Sequence, residues 1–73
     1  MKYHPAALAL MAHGTALGPL ADAFGVTRTS VSRWLAGEFP APPGFLECVA
    51  ALTDRATADH IGALIAEARE AQR

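Results

Sequence analysis

The 73-residue sequence has one cysteine, few charged residues and no long apolar run. A single cysteine cannot form an intramolecular disulfide or a thiolate zinc cluster, so we expect a reduced, cytoplasmic protein. No stretch approaches the roughly 20 apolar residues of a membrane-spanning helix. The apolar N-terminal stretch is broken at His13-Gly14 and does not predict a secretory signal. We therefore expect no membrane partner.

Acidic and basic side chains are unevenly distributed along the chain, whose formal net charge is −1. Residues 1–37 carry three basic side chains against one acidic, a net charge of +2, whereas residues 38–73 carry three against six, a net charge of −3. Nucleic-acid-binding surfaces are usually basic. The asymmetry is compatible with DNA binding by the first half only.

Apolar spacing predicts a single all-α domain, residues 1–73, built as a compact bundle of five short helices. Neither strand alternation nor an internal repeat is present. The predicted helices cover about 5–13, a segment ending at Gly25, 28–36, 42–53 and 58–71. The predicted caps are Thr15 or Gly18 for the second helix, Thr27 for the third and Thr57 for the fifth. The predicted buried residues are Leu8, Met11, Leu20, Ala21, Phe24, Val26, Val31, Trp34, Leu35, Phe45, Leu46, Cys48, Val49 and Leu52, with Ala7 and Ala12 as further candidates in the first helix.

Residues 20–37 contain the most informative pattern in the sequence. Ala21 allows a second helix to cross closely, and Gly25 can adopt the left-handed conformation that ends a helix. Val31 follows six residues later and is succeeded by Ser-Arg-Trp. This spacing resembles the helix-turn-helix of phage Cro/repressor-type (XRE-like) proteins. The resemblance covers about residues 5–53. The Trp34-x-x-Gly37 ending, followed by a proline-rich link and an apolar helix, is also similar to very small phage regulators such as anti-CRISPR-associated repressors.

The resemblance implies a lambda-repressor-like fold with a motif at residues 17–37 and a sequence-specific, DNA-binding transcriptional regulator. It places base-reading side chains at Arg28, Thr29, Ser32 and Arg33, which would enter the major groove of double-stranded DNA. Phosphate contacts are expected from Thr27 and Ser30. Arg33 could also contact a phosphate instead of a base. Many family members carry a phosphate-binding Gln where this chain has Leu17, and Thr15, Lys2 or His13 are the candidate replacements. Leu35 also departs from the acidic residue usual after the tryptophan.

A homodimer is expected because one recognition helix covers too few base pairs, and related proteins read palindromic operators as twofold dimers. Helices within residues 42–71 are the candidates for support and dimerisation. The predicted interface residues are Ile61, Leu64, Ile65 and Ala68, although the same apolar stripe could instead complete the monomer core. Small size favours repression by occupying a promoter, and an excision or replication factor is left open.

Two other function classes differ in how well the sequence supports them. An enzyme is not expected, because the sequence shows no nucleophile motif, no phosphate-binding glycine loop and no metal-ligand spacing among its three histidines. No cofactor and no metal are predicted. The acidic second half keeps open a protein-interaction module, such as an antitoxin or a phage adaptor, that uses a helix-turn-helix as its scaffold.

Overall fold

The computed structural model describes residues 4–71 and contains five α-helices and no strand within that range. The helices are α1 (Pro5–Ala12), α2 (Leu17–Phe24), α3 (Arg28–Leu35), α4 (Phe45–Leu52) and α5 (Arg55–Ala71). Helix α5 packs against α1, α3 and α4, while α2 packs against α3 and α4. The predicted all-α bundle of five helices is confirmed.

Helix α1 begins at Pro5, as predicted, after the Nδ1 atom of His4 accepts a hydrogen bond from the Ala6 amide at 3.2 Å. Leu8 was predicted to be buried, but its side chain is 52% exposed. The prediction was wrong because α1 is apolar on all sides, so spacing does not identify its inner face. The buried side is formed by Ala6 and Leu10 together with Ala7, which was a candidate, whereas the other candidate, Ala12, is exposed.

A three-residue turn joins α2 to α3. Gly25 adopts φ +64°, and the Val26 amide donates to the Ala21 carbonyl at 3.0 Å, which closes the end of α2. The Thr27 hydroxyl then accepts a hydrogen bond from the Ser30 amide at 3.3 Å and caps α3. The predicted roles of Gly25 and Thr27 are therefore confirmed.

The start of α2 differs from the prediction. Its N-cap is Ala16 rather than Thr15 or Gly18, and within residues 4–71 no side chain provides a capping hydrogen bond. Pro19 lies in the first turn, where its missing N–H has no intrahelical role. The first amides of α2 are consequently left for solvent or a ligand.

Helix α4 begins at Phe45 rather than at residue 42. Pro42 and Pro43 remain in the connector, where the Phe45 amide donates to the Pro42 carbonyl at 3.2 Å. Leu52, predicted to be buried on α4, is 40% exposed because the helix ends there.

Helix α5 begins at Arg55, three residues before the predicted start. Thr57 is not its cap. The Thr57 amide instead donates to the Oδ1 atom of Asp54 at 2.6 Å, so Asp54 holds the first turn.

A single apolar core unites the helices. Its largest fully buried side chains are Phe45, Leu10, Leu20, Leu35, Ile61, Val31 and Val49. Trp34 is half-buried and packs edge-on against Phe24 and Phe45, with ring centroids 5.8 and 5.5 Å away. The prediction that Trp34 belongs to the core is confirmed. This packing fixes the inner side of α3 and leaves its outer side exposed.

Candidate nucleic-acid interface

An open groove of about 730 Å³ runs along the outer side of α3. We call it the α3 groove. The α1–α2 loop (residues 13–16) and the first turn of α2 form its other wall. The lining residues are Met11, Gly14, Thr15, Ala16, Leu17, Gly18, Arg28, Thr29, Ser32, Arg33 and Glu38.

All four predicted base-reading residues lie in this groove. Arg28, Thr29 and Arg33 are exposed, and Ser32 is half-buried. Their placement follows from helical spacing, since Val31 and Leu35 are fully buried on the opposite side of α3. The structure therefore brings these side chains together on one surface that solvent can reach.

The predicted phosphate-binding hydroxyls at the start of α3 already have partners inside the protein. The Thr27 hydroxyl caps the helix and lies 3.3 Å from the Ser30 hydroxyl. Neither residue lines the α3 groove. Both stand next to the first amides of α3, where a helix N-terminus favours anions.

Thr15, the third predicted phosphate contact, does line the groove. Its hydroxyl donates a long hydrogen bond, 3.5 Å, to the Leu52 carbonyl. Beside it, the Nε2 atom of His13 lies 3.0 Å from the Oδ2 atom of Asp54. These two contacts tie the α1–α2 loop to the junction of α4 and α5. Lys2, the fourth predicted contact, lies outside the described residues.

Asp54 has a pKa lowered from its ordinary value of 3.8. The largest causes are the hydrogen bonds from the Thr57 amide and side chain, followed by the hydrogen bond from His13. The carboxylate is thus the favoured form, and it holds both the first turn of α5 and the loop that borders the groove.

Two groove residues were missed by the sequence predictions as contributors to the site. Gly18 leaves open space into which Arg28 folds: the Nε and Nη2 atoms of Arg28 lie 3.6 Å from where a Cβ at Gly18 would stand. Glu38, three residues beyond the end of α3, adds a carboxylate residue to the lining of the groove. The only sequence signal was the position of Gly18 in a helix first turn and of Glu38 directly after the terminating Gly37.

Arg33 is oriented by an aromatic neighbour in the connector. Its guanidinium carbon lies 5.6 Å from the centroid of the Phe39 ring, within the range of a cation–π contact. Phe39 is 50% exposed. Within residues 4–71, neither Arg28 nor Arg33 forms an ion pair with a carboxylate. Their charges are therefore available to a ligand.

The predicted dimer residues divide into two groups. Ile61 is fully buried in the monomer core, which agrees with the alternative that the sequence left open for this apolar stripe. Leu64, Ile65 and Ala68 are half-buried at the edge of the core. A second groove of about 300 Å³ lies next to Ile65, between α5 and the start of α4.

The chain matches no protein-family model, no curated protein and no solved structure. No described helix has both the length and the apolar content that crossing a membrane requires. Within residues 4–71, no cluster of histidine, cysteine or acidic side chains could hold a metal ion.

Proposed function

We propose that this protein binds duplex DNA with α3 in the major groove and represses transcription by occupying a promoter. The proposal is supported by one observation. Arg28, Thr29, Ser32 and Arg33 all line the same open groove on the outer side of α3. An α-helix fits the width of the major groove, and its outer side chains then meet base edges.

The side chains in the α3 groove have the chemistry of base recognition. An arginine can donate two hydrogen bonds to the O6 and N7 atoms of guanine, which discriminates against other bases by about 1–3 kcal/mol. The Thr29 methyl group can pack on a thymine methyl group. The Ser32 hydroxyl can donate or accept, so it tolerates several bases.

The wall opposite α3 has the chemistry of backbone contact. The first amides of α2 have no intrahelical acceptor, and within residues 4–71 no side chain caps them. In DNA-bound proteins of this geometry, the helix preceding the recognition helix crosses the phosphate backbone. Thr15 stands beside those amides and supplies a hydroxyl to the same surface.

One copy of α3 is too short to specify an operator. Its eight residues span roughly 12 Å, which covers only a few base pairs. We propose a homodimer in which two α3 helices enter successive major grooves about 34 Å apart. Leu64, Ile65 and Ala68 on α5 are the proposed interface residues, because they are the members of the predicted set that retain exposure.

Selection of bound sites from random duplex DNA tests this function. We expect enrichment of a palindrome whose half-site centres lie about 10 base pairs apart, or a multiple of that. The matched control is the double variant Arg28→Ala, Arg33→Ala, which removes two exposed cations and leaves the core unchanged. Failure of the native chain to enrich any sequence would contradict the proposal.

A protein-interaction module remains the second candidate, and Glu38 favours it. A carboxylate at the edge of the α3 groove repels phosphate, and the whole chain carries a net negative charge. A DNA-binding protein loses affinity with salt at a log–log slope of about −0.9 per neutralised phosphate. If the chain binds no DNA at 50 mM salt and enriches no site, the interaction module is favoured.

A further inference from the structure

We propose that Arg28 anchors the protein to the phosphate backbone and that base reading is left to Thr29, Ser32 and Arg33. This inference rests on the proposed DNA-binding function and deepens it. It also changes the role that the sequence resemblance implied for Arg28. It follows from the position of the Arg28 guanidinium, which lies against α2.

Gly18 makes this position possible. Three guanidinium atoms of Arg28 lie 3.6 to 3.9 Å from where a Cβ at Gly18 would stand, so the side chain rests directly on the first turn of α2. Side chains in a helix point back towards its N-terminus. Arg28 is the first residue of α3, and its side chain therefore projects beyond the end of its own helix onto α2.

Positive charge converges at this point. The α2 N-terminus carries amides without an intrahelical acceptor, and the guanidinium adds a full positive charge next to them. Leu17, the first residue of α2, is apolar and only 9% exposed, so it adds no negative charge at this point. Guanidinium groups and helix N-termini both bind phosphate oxygens well.

The position relative to DNA follows from the order of the two helices. When α3 lies in the major groove, α2 crosses the phosphate backbone. A guanidinium held on α2 then faces that backbone, whereas Ser32 and Arg33 lie one turn further along α3 and face the base edges. Phosphate contacts position a protein without reading sequence.

The test compares Arg28→Ala with Arg33→Ala by measuring affinity for the selected site, for each single-base variant of it, and for unrelated DNA. We expect Arg28→Ala to weaken binding to every duplex by about tenfold. The salt slope should fall by about one in magnitude, and the base preferences should stay unchanged. Arg33→Ala should instead relax the preference at one base pair.

Arg28→Lys and two Gly18 variants provide independent checks. Lysine keeps the charge and should retain most of the affinity with the same preferences. Gly18→Glu should weaken binding to all duplexes, because its carboxylate would pair with Arg28 and repel phosphate, whereas the isosteric Gly18→Gln should weaken it much less. Thermal melting by circular dichroism confirms that each variant is folded.

Three outcomes contradict the inference. They are loss of preference at one base pair in Arg28→Ala, an unchanged salt slope in that variant, and equal losses in Gly18→Glu and Gly18→Gln. Each of these would leave DNA binding itself intact. If the native chain binds no duplex at low salt, the proposed function fails and the role of Arg28 fails with it.

Discussion

Gly37 lies where the end of α3 passes closest to α5. It adopts φ +76°, and a Cβ there would stand 2.9 Å from the Cγ atom of Arg69 and 3.1 Å from the Arg69 backbone nitrogen. The Glu38 amide donates to the Arg33 carbonyl at 3.0 Å and completes the helix end. Glycine is therefore required here both for backbone conformation and for space.

Gly37→Ala should lower the free energy of unfolding by about 2–4 kcal/mol. A left-handed non-glycine residue costs about 1–2 kcal/mol, and overlap with α5 adds to that cost. Gly25→Ala is the matched control, since Gly25 also has positive φ but no atom of the described residues lies within 4 Å of its Cβ position. Urea denaturation measures both. Equal losses in the two variants would show that the contact with α5 contributes nothing.

Asp54 predicts how stability depends on pH. Its pKa is lowered in the folded protein from 3.8, chiefly by the hydrogen bonds from Thr57 and then by His13. The folded state therefore binds fewer protons than the unfolded state in this range. The stabilisation is fully present above pH 3.8 and is lost as pH falls through the lowered pKa.

We expect the melting temperature to fall as the pH decreases below 3.8 and to fall less steeply in Asp54→Asn, which keeps a capping oxygen but cannot ionise. Asp59→Asn, at an exposed position on the same helix, serves as the control. Thermal melts at half-unit pH intervals measure the effect. Identical pH profiles for Asp54→Asn and the native chain would contradict it.

At the scale of elements, the α2–turn–α3 unit was the part best predicted from sequence. Its signals are local. Gly25 adopts the left-handed conformation that ends α2, and the Thr27 hydroxyl caps α3, so each residue acts on backbone groups no more than four residues away. The inner side of α3 was also predictable, because Val31 and Leu35 recur at helical spacing among polar residues.

The supporting helices were predicted less well, for physical reasons. Asp54 and Thr57 are both good capping residues three positions apart, and the sequence alone does not say which side chain accepts the hydrogen bond that caps α5. Leu8 belongs to a helix without a polar side. Prolines at 42 and 43 can begin a helix or precede one, and here they precede it.

The candidate site was predicted in part. Helical spacing identified the exposed side chains of α3, since that is a property of one element. The contact of Arg28 with Gly18 joins two elements and depends on how closely they pack. The spacing of residues along the sequence does not give the distance between two packed helices. Neither this contact nor the wall formed by the α1–α2 loop could therefore be predicted.

Glu38 gives a prediction at the scale of the groove. Its carboxylate lines the edge of a surface that we propose to bind phosphates. Glu38→Gln should raise affinity for all duplexes by up to about fivefold at low salt, because one repulsive charge near the backbone is worth about 1 kcal/mol in water. Fluorescence anisotropy at 50 and 200 mM salt measures this gain.

The gain should shrink at the higher salt concentration because the repulsion is screened. Glu67→Gln, on the exposed side of α5, is the matched control and should leave affinity unchanged. A lower duplex affinity in Glu38→Gln than in the native chain would contradict this prediction, because it would show that Glu38 contributes favourably to DNA binding.

At the scale of the whole molecule, the described chain has a radius of gyration of 10.9 Å and a single small core. A domain of this size has limited stability as a monomer. The half-buried Leu64 and Ile65 leave an apolar edge on α5 that a second copy could cover. This edge carries the proposed dimer.

Leu64→Glu should reduce dimerisation, measured by sedimentation equilibrium, and weaken binding to a palindrome by tenfold or more. Binding to an isolated half-site should change little, since α3 is untouched. Ala63→Glu, at the adjacent exposed position of α5, is the control for an added charge. A folded Leu64→Glu variant that remains dimeric and binds the palindrome tightly would exclude this interface.

The most direct test of the central claim is to map the DNA-binding face by two-dimensional ¹H–¹⁵N NMR during titration with a 20-base-pair duplex at low salt. We expect shift changes at the backbone amides of residues 14–18 and 28–33, with the exposed side of α5 unaffected. No shift changes, or changes confined to α5 and residues 39–47, would contradict it.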